Sequence, residues 1–512
     1  MWKTSNGRID RLVVFADRGG EIVPLGALTF EGAGRRRIST FRYARSWLEA
    51  KGRGIDPTHL PPQWKAFRSP PDCELPLPFL DTAPDGWGRA ILAAAFPDQH
   101  FGDGEYLAAA GDERAGELRF GPTAEAPPER WVPPHQQAMS LPEEDDTIEE
   151  LQAAAEAVDE GKASPRHLAL LFRKSGDLGG ARPKAAIWRH GVPWIAKFRA
   201  QGDAFDDPRV EAACLTMAKA SGIEVPEHEV IDVRGRSVLL VRRFDRGRPG
   251  ERFGYSSAAT MMGITHTSYA TDATYASVAT KARQQGVIPC EADLFRRMLF
   301  NCFIHNTDDH LRNHGFLRDR GKWRLSPAFD LTAQRAQRLV LAPAAGVAPA
   351  PDPVGAFEAH PAFGLDRSAA VAIYEEVVEG LRFARDALDT HGVSQRDREV
   401  LGPRWTRVFS PPAASFLPLS GLVRPPSSTG SDPAERLAEL GIHVDPATHK
   451  VSRTGRGITV RRRDTGQLDN APGMPARVRE AWTTNPVREF FKDGKPVPPP
   501  DEAGSDATPG AG

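Results

Sequence analysis

His305-Asn306-Thr307-Asp308-Asp309-His310-Leu311-Arg312-Asn313-His314, followed by Ser326-Pro327-Ala328-Phe329-Asp330, is the densest run of metal-seeking and proton-handling side chains in the sequence. It comes directly after an apolar stretch in which Leu294, Met298, Leu299, Cys302 and Phe303 share one face of a helix. A greasy helix therefore delivers a polar cluster. Carboxylates buried in such a place need a cation or hydrogen bonds to offset their charge, so the cluster asks which cation it serves and for what chemistry.

The 512 residues suffice for two or more domains, and a hydrophobic fraction of 40% can fill sizeable cores. A formal net charge of -1 leaves no overall basic footprint, so direct nucleic-acid binding is not expected. The four cysteines, Cys73, Cys214, Cys290 and Cys302, lie far apart and suggest neither a zinc ribbon nor a disulfide framework; a reducing, cytoplasmic setting is the expectation. The first residues lack an apolar leader, and no later segment approaches the roughly 18 apolar residues that cross a bilayer. No membrane association is expected.

Upstream of the cluster, the first hundred residues read as a small α+β unit, with strands over 12–15 and 22–25 joined at Gly19-Gly20 and a helix near 43–48. A second apolar stretch begins at Asp85-Gly86-Trp87-Gly88-Arg89, a turn and strand occupy 111–120, and a proline-rich loop fills 122–134. An amphipathic helix follows with Ile148, Leu151, Ala155 and Val158 inward.

Between 175 and 246 the pattern changes. Ser175-Gly176-Asp177-Leu178-Gly179-Gly180-Ala181-Arg182-Pro183-Lys184 is a glycine-rich loop that leads into a hairpin over 185–188 and 194–198, turned at His190-Gly191. Gly179, Gly180 and Ala181 would let backbone N–H groups approach a phosphate, and Lys184 could add a point charge. Lys197 stands in an otherwise apolar strand, where an ammonium needs an anion. A helix over 208–221, with Asp207 as its cap, carries Glu211 beside its buried stripe, within reach of Lys197. A second hairpin over 230–233 and 237–241 runs into Arg242-Arg243-Phe244-Asp245-Arg246, a polar connector whose backbone would meet a flat ligand while Asp245 could accept from a ribose hydroxyl.

A Gly-rich loop, a strand lysine, a helix glutamate, a connector, an Asp/Asn cluster and a final Asp are, in that order, the parts that phosphoryl transfer from ATP requires. A lysine held by the glutamate's carboxylate clamps the donor phosphates, one aspartate orients the acceptor hydroxyl, and an asparagine with a second aspartate holds Mg²⁺ through hard oxygen ligands. A metal nuclease built on His305, His310 and His314 with Asp308 and Asp309 is a competing reading, but it has no use for Lys197, Glu211 or the loop. A catalytically weak binding module that keeps the fold and acts with an antitoxin on operator DNA is another.

On the words Asp85-Gly86-Trp87-Gly88-Arg89, Gly179-Gly180-Ala181-Arg182-Pro183-Lys184, Arg243-Phe244-Asp245-Arg246, Asn306 to His314 and Ser326 to Asp330, the chain resembles the HipA-like serine/threonine kinases, toxin components of HipBA-type systems. The resemblance covers roughly residues 10–405. It implies an α+β, two-lobed protein-kinase-like fold. Residues 1–125 would be the small N-terminal α+β subdomain, 126–246 the kinase N-lobe with loop and hinge, and 247–410 a mostly helical C-lobe. Residues 411–512 would be a Pro/Gly/Ser-rich, largely disordered tail, with one helix opening at Asp432-Pro433-Ala434-Glu435 and a basic patch around Arg461.

By the same resemblance Asp308 is the catalytic residue, Asn313 and Asp330 hold Mg²⁺, Lys197 binds ATP, Phe244 and Asp245 form the hinge, and His310 is a structural or phosphate-facing neighbour. The implied partners are a protein substrate with a Ser or Thr hydroxyl, such as an aminoacyl-tRNA synthetase, and a HipB-like DNA-binding antitoxin. One departure stands out. Family members commonly carry an autophosphorylated serine three residues before the Gly-Ala pair of the loop, and here that position is Asp177. Its carboxylate would imitate a phosphate or remove this control, and Ser175 is the nearest remaining hydroxyl for autophosphorylation.

Overall fold

The computed structural model describes residues 2–417 except 19–20, 35–36, 57, 134–145, 249 and 266–271, and four short strands between 449 and 496. The chain divides into two units, Met1–Val423 and Arg424–Gly512.

The first unit begins with an antiparallel sheet in the order Lys3–Ser5, Arg8–Arg18, Glu21–Glu31, Ile38–Tyr43 and Phe67–Arg68, with Arg119–Gly121 pairing onto Arg8–Arg18. The second strand buries residues on both faces, Leu12, Val14 and Ala16 as well as Val13 and Phe15, so it reads as a continuous apolar run rather than an alternation. Phe41, Phe79, Phe120, Trp47 and Trp131 fill the core behind it. Helix Gly86–Ala95 belongs to two cores at once. Leu92 and Ala95 pack into this first core, while Trp87 and Ile91 pack with Leu171, Ala185 and Ala196 of the next layer.

That next layer is an antiparallel sheet, Lys184–Arg189, Val192–Phe198, Arg236–Arg242 and His228–Val233 in spatial order, backed by helices Ile148–Asp159 and Pro165–Lys174. Both hairpins turn on two residues of positive φ, His190 at 53° with Gly191 at 74°, and Arg234 at 52° with Gly235 at 78°. Such turns match the twist of the flanking strands. Helix Asp207–Ala220 crosses this sheet, and its cap is Asp206 rather than the expected Asp207. The reason is tertiary: Asp207 turns inward, accepting from the Thr332 hydroxyl at 2.9 Å and pairing with Arg182 at 3.2 Å, which leaves Asp206 to accept from the Arg209 amide at 3.4 Å.

The remainder is mostly helical. Glu291–Ile304 runs through its centre with Leu294, Phe295, Met298, Leu299, Phe300 and Phe303 buried, against Tyr275–Gln284 and Arg367–Leu381. A three-stranded sheet, Gly254–Ser257, Gly315–Asp319 and Lys322–Leu325, sits beside the helix's exit. The α+β, two-lobed organisation expected of the sequence is therefore present. No described helix is long and apolar enough to cross a membrane.

In the second unit His449–Thr454 pairs with Gly457–Arg462, and Phe491–Lys492 with Lys495–Pro496. The sequence gives no expectation of strands there. The helix expected from Asp432 and the turn at Gly19-Gly20 lie outside the described residues.

Candidate active site

A cavity of about 560 Å³ takes in every residue named above for phosphoryl transfer except Ser175. One wall comes from the four-stranded sheet. Lys197 and Lys184 face each other as cross-strand partners, so two ammonium groups enter the same space. Lys197 reaches Glu211 of the crossing helix at 2.6 Å and also pairs with Asp330. Burial works against its charge, but Asp330 and Glu211 together hold its ammonium well above the usual lysine range. Lys184 makes no ion pair among the described residues, and burial pulls its pKa down.

The other wall is the opening cluster. Helix Glu291–Ile304 stops at His305 with φ of 59°, and the Asn306 amide returns to the Asn301 carbonyl at 2.9 Å, a left-handed stop that turns the chain away from the helix axis. Two adjacent aspartates then part company. Asp309 is buried and accepts from the Tyr275 hydroxyl, from Asn301 Nδ2 at 2.7 Å and from His314 Nε2 at 2.9 Å. Burial opposes its charge, yet these donors keep it ionised below the usual range. Asp308 is exposed at the cavity, and shielding of its carboxyl pushes its pKa up, with His310 opposing and Asp309 and Asp330 assisting. Asn313 donates to the Asp308 carbonyl at 3.4 Å, which leaves its own side-chain oxygen open. Asp330 sits at φ of 54°, left-handed backbone that a non-glycine residue adopts at a cost, and Lys197 with Lys184 holds its carboxyl below the usual range despite burial.

Three cationic or polar groups face this space without full satisfaction: His310 Nδ1 and Arg312 Nε are buried with no hydrogen-bond partner, and Lys184 is the third. Phe244 and Phe329, both half-buried, lie with ring centroids 5.4 Å apart at the connector. The space thus combines unmatched positive charge, a pair of half-buried rings and three carboxyl or amide oxygen donors, a composition suited to a polyanion with a flat group and a hard cation.

Two expectations need correcting. Asp245 lines the cavity, but its carboxylate is already engaged: Arg243 donates at 3.0 and 2.8 Å, Arg246 at 2.6 Å and the Gly116 amide at 2.9 Å. With those donors in place Oδ2 is saturated and Oδ1 already accepts from Arg243, so the carboxylate is committed first to the fold and offers a ribose hydroxyl one Oδ1 site at most. Ser175 is fully buried, and its hydroxyl donates to the Lys184 carbonyl at 2.6 Å, so in this conformation it offers no acceptor for phosphorylation. Asp177 is buried too. It borders the cavity, but its carboxylate accepts from the Gly111 and Glu113 amides at 2.5 and 2.8 Å and pairs with Arg130 at 3.0 Å, so it anchors the loop to the N-terminal subdomain.

The three histidines of the nuclease reading go to separate partners, His305 to the Ala336 carbonyl at 2.9 Å, His314 to Asp309 and His310 to the cavity. Among the described residues no group of three or more His, Cys, Asp or Glu side chains is placed to hold a metal ion. Sequence reasoning gave no role to Asp85, Arg312, Tyr275 or Asn301, and placed Asp309 only in the nuclease reading. The paired glycines of Asp85-Gly86-Trp87-Gly88 were the available signal, since glycine marks places where backbones must touch.

Residues 21–121 match the HipA N-terminal domain family and residues 176–384 the HipA-like C-terminal domain family. Y4dM of Sinorhizobium fredii, a protein named as a kinase, is 28% identical over 154 residues, which are 28% of this chain and 37% of that protein; the chain thus spans little more than a third of this relative's length. HipA of Shewanella oneidensis MR-1, solved in a complex with HipB and its operator DNA, superposes with a TM-score of 0.53 at 18% identity, over 78% of this chain and 96% of that one. At that identity the likeness speaks for the fold.

Proposed function

The chain belongs to the HipA-like family, and on that premise we propose that it is an ATP-dependent protein kinase that transfers the γ-phosphoryl group to a Ser or Thr hydroxyl of a cytoplasmic protein. The observation that carries the proposal is Lys197, held between Glu211 and Asp330 on the wall of a cavity that also receives Asp308 and Asn313.

In this reading Lys197 and Lys184 bind the donor phosphates, and Phe244 with Phe329 receives the base. One oxygen of Asp330 and the side-chain oxygen of Asn313 carry no hydrogen bond among the described residues, so they would hold a Mg²⁺ ion, which neutralises charge on the phosphates when bound. Asp308 orients the acceptor hydroxyl and takes its proton as the new O–P bond forms and the bond to the ADP oxygen breaks. Its raised pKa brings it nearer to what a proton acceptor requires at neutral pH.

A HipB-like antitoxin is the proposed partner, since the Shewanella oneidensis HipA was solved with HipB and operator DNA. A toxin that arrests growth through a target such as an aminoacyl-tRNA synthetase is the proposed role. Phosphoproteomics of cells that express the wild type or Asp308→Ala tests both points. Phosphosites and growth arrest confined to the wild type support the proposal, and indistinguishable phosphoproteomes would contradict it.

A further inference from the structure

Asp85 holds the N-cap position of helix Gly86–Ala95, with φ of -129° and ψ of -172°, yet makes no side-chain cap bond. An aspartate there ordinarily accepts from amides of the first turn. Its carboxylate is turned elsewhere. One oxygen accepts from the Gly180 amide of the Gly-rich loop, and the other accepts from the Arg312 guanidinium at 2.8 Å. Arg312 lies between Asp308 and Asn313 in the chain, on the short turn Leu311–Asn313.

The neighbouring residues fit the same arrangement. The Trp87 amide donates to the Gly180 carbonyl at 2.7 Å, and Trp87 Nε1 donates to the Lys184 carbonyl at 3.0 Å. A Cβ at Gly86 would lie 2.5 Å from the Gly180 carbonyl oxygen, and one at Gly88 would lie 2.3 Å from that of Leu178. Both glycines are therefore what lets the helix start press against the loop. The N-terminal subdomain is otherwise held by Asp177 and Arg243, so the Asp85 carboxylate is not needed to keep the parts together.

We propose that Asp85 is a positioning residue that couples the Gly-rich loop to Arg312, so that the two halves of the cavity address one phosphate chain; this rests on the kinase reading. Lys184 ends the loop that Asp85 holds, and Asp308 and Asn313 lie either side of Arg312 in the chain. Both partners are about one-third exposed, at 34% and 32%, so the coupling is moderate in size.

Hydrogen exchange of the full chain without nucleotide tests it, in Asp85→Asn and in Arg312→Gln, beside ATP kinetics. Asp85→Asn should speed exchange in both 176–184 and 308–314 by about tenfold, the factor that loss of one charge-assisted hydrogen bond gives. Arg312→Gln should speed exchange in 176–184 as well, although Arg312 makes no hydrogen bond to that segment. KM for ATP should rise about tenfold in Asp85→Asn while kcat moves less than about threefold, the pattern of a group that shapes binding. Unchanged exchange in 308–314 for Asp85→Asn, or in 176–184 for Arg312→Gln, would overturn the coupling. So would a uniform rise across the protein with a fallen melting midpoint, which would make Asp85 a stability residue only. If the wild type neither binds nor turns over ATP, the kinase reading fails while the exchange arm still decides the coupling.

Discussion

Asp330 and Asp245 both line the cavity, both lie beside two basic side chains and both are held below the usual carboxylate range, yet they are put to opposite uses. Asp245 receives four hydrogen bonds from Arg243, Arg246 and Gly116, three on Oδ2 and one on Oδ1, so neither oxygen is free of a donor. Asp330 receives one ion pair, from Lys197, and keeps an oxygen open. Burial and charge alone do not separate a ligand from a structural strut. The number of unspent lone pairs does.

The largest effect that sharpens this contrast comes from paired substitutions. Asp330→Asn, which the left-handed backbone there tolerates, should lower phosphoryl transfer by about 10²- to 10³-fold and cost less stability than loss of Asp245, because Lys197 keeps Glu211 as its counter-charge. Asp245→Ala should do the reverse in kind. It leaves Arg243 and Arg246 buried without their counter-charge and should cost about 3–5 kcal/mol of stability, read as a lower thermal midpoint. A stable Asp245→Ala protein that has merely lost nucleotide affinity would return Asp245 to the ligand set.

A smaller effect follows from pH. A carboxyl held below its unfolded value contributes stability that is complete above about pH 4, the ordinary Asp range, and is lost as pH falls towards its folded value. In that window the unfolded chain binds more protons, so wild-type stability should rise with pH from about 3 to 5. Asp245→Asn should flatten that rise in urea melts taken across the range. An equally steep profile in the variant would place the acid sensitivity elsewhere.

Much of the site was legible because spacing in regular elements carries direction. Lys197 and Glu211 lie on a strand and a helix whose apolar patterns fix which way each points, and the residues do meet at 2.6 Å. His190-Gly191 announced its hairpin through the backbone those two residues accept. Loop residues carry no such direction. Ser175 and Asp177 look exposed in a glycine-rich run, but both are buried because the N-terminal subdomain lies over the loop. Asp308 and Asp309 are indistinguishable by type and position, and only Tyr275, Asn301 and His314, distant in sequence or across a turn, decide which of them is interred. The same holds for the helix cap, where Thr332 and Arg182 draw Asp207 inward and pass the role to Asp206.

The central claim is that the cavity binds Mg-ATP through Lys197 and the open oxygens of Asp330 and Asn313. Equilibrium titration of the purified full chain with Mg-ATP, wild type beside Lys197→Met, measures it directly. Saturable binding by the wild type, weakened about tenfold or more in the variant, is the predicted result. No binding by the wild type, or undiminished binding by Lys197→Met, would contradict it.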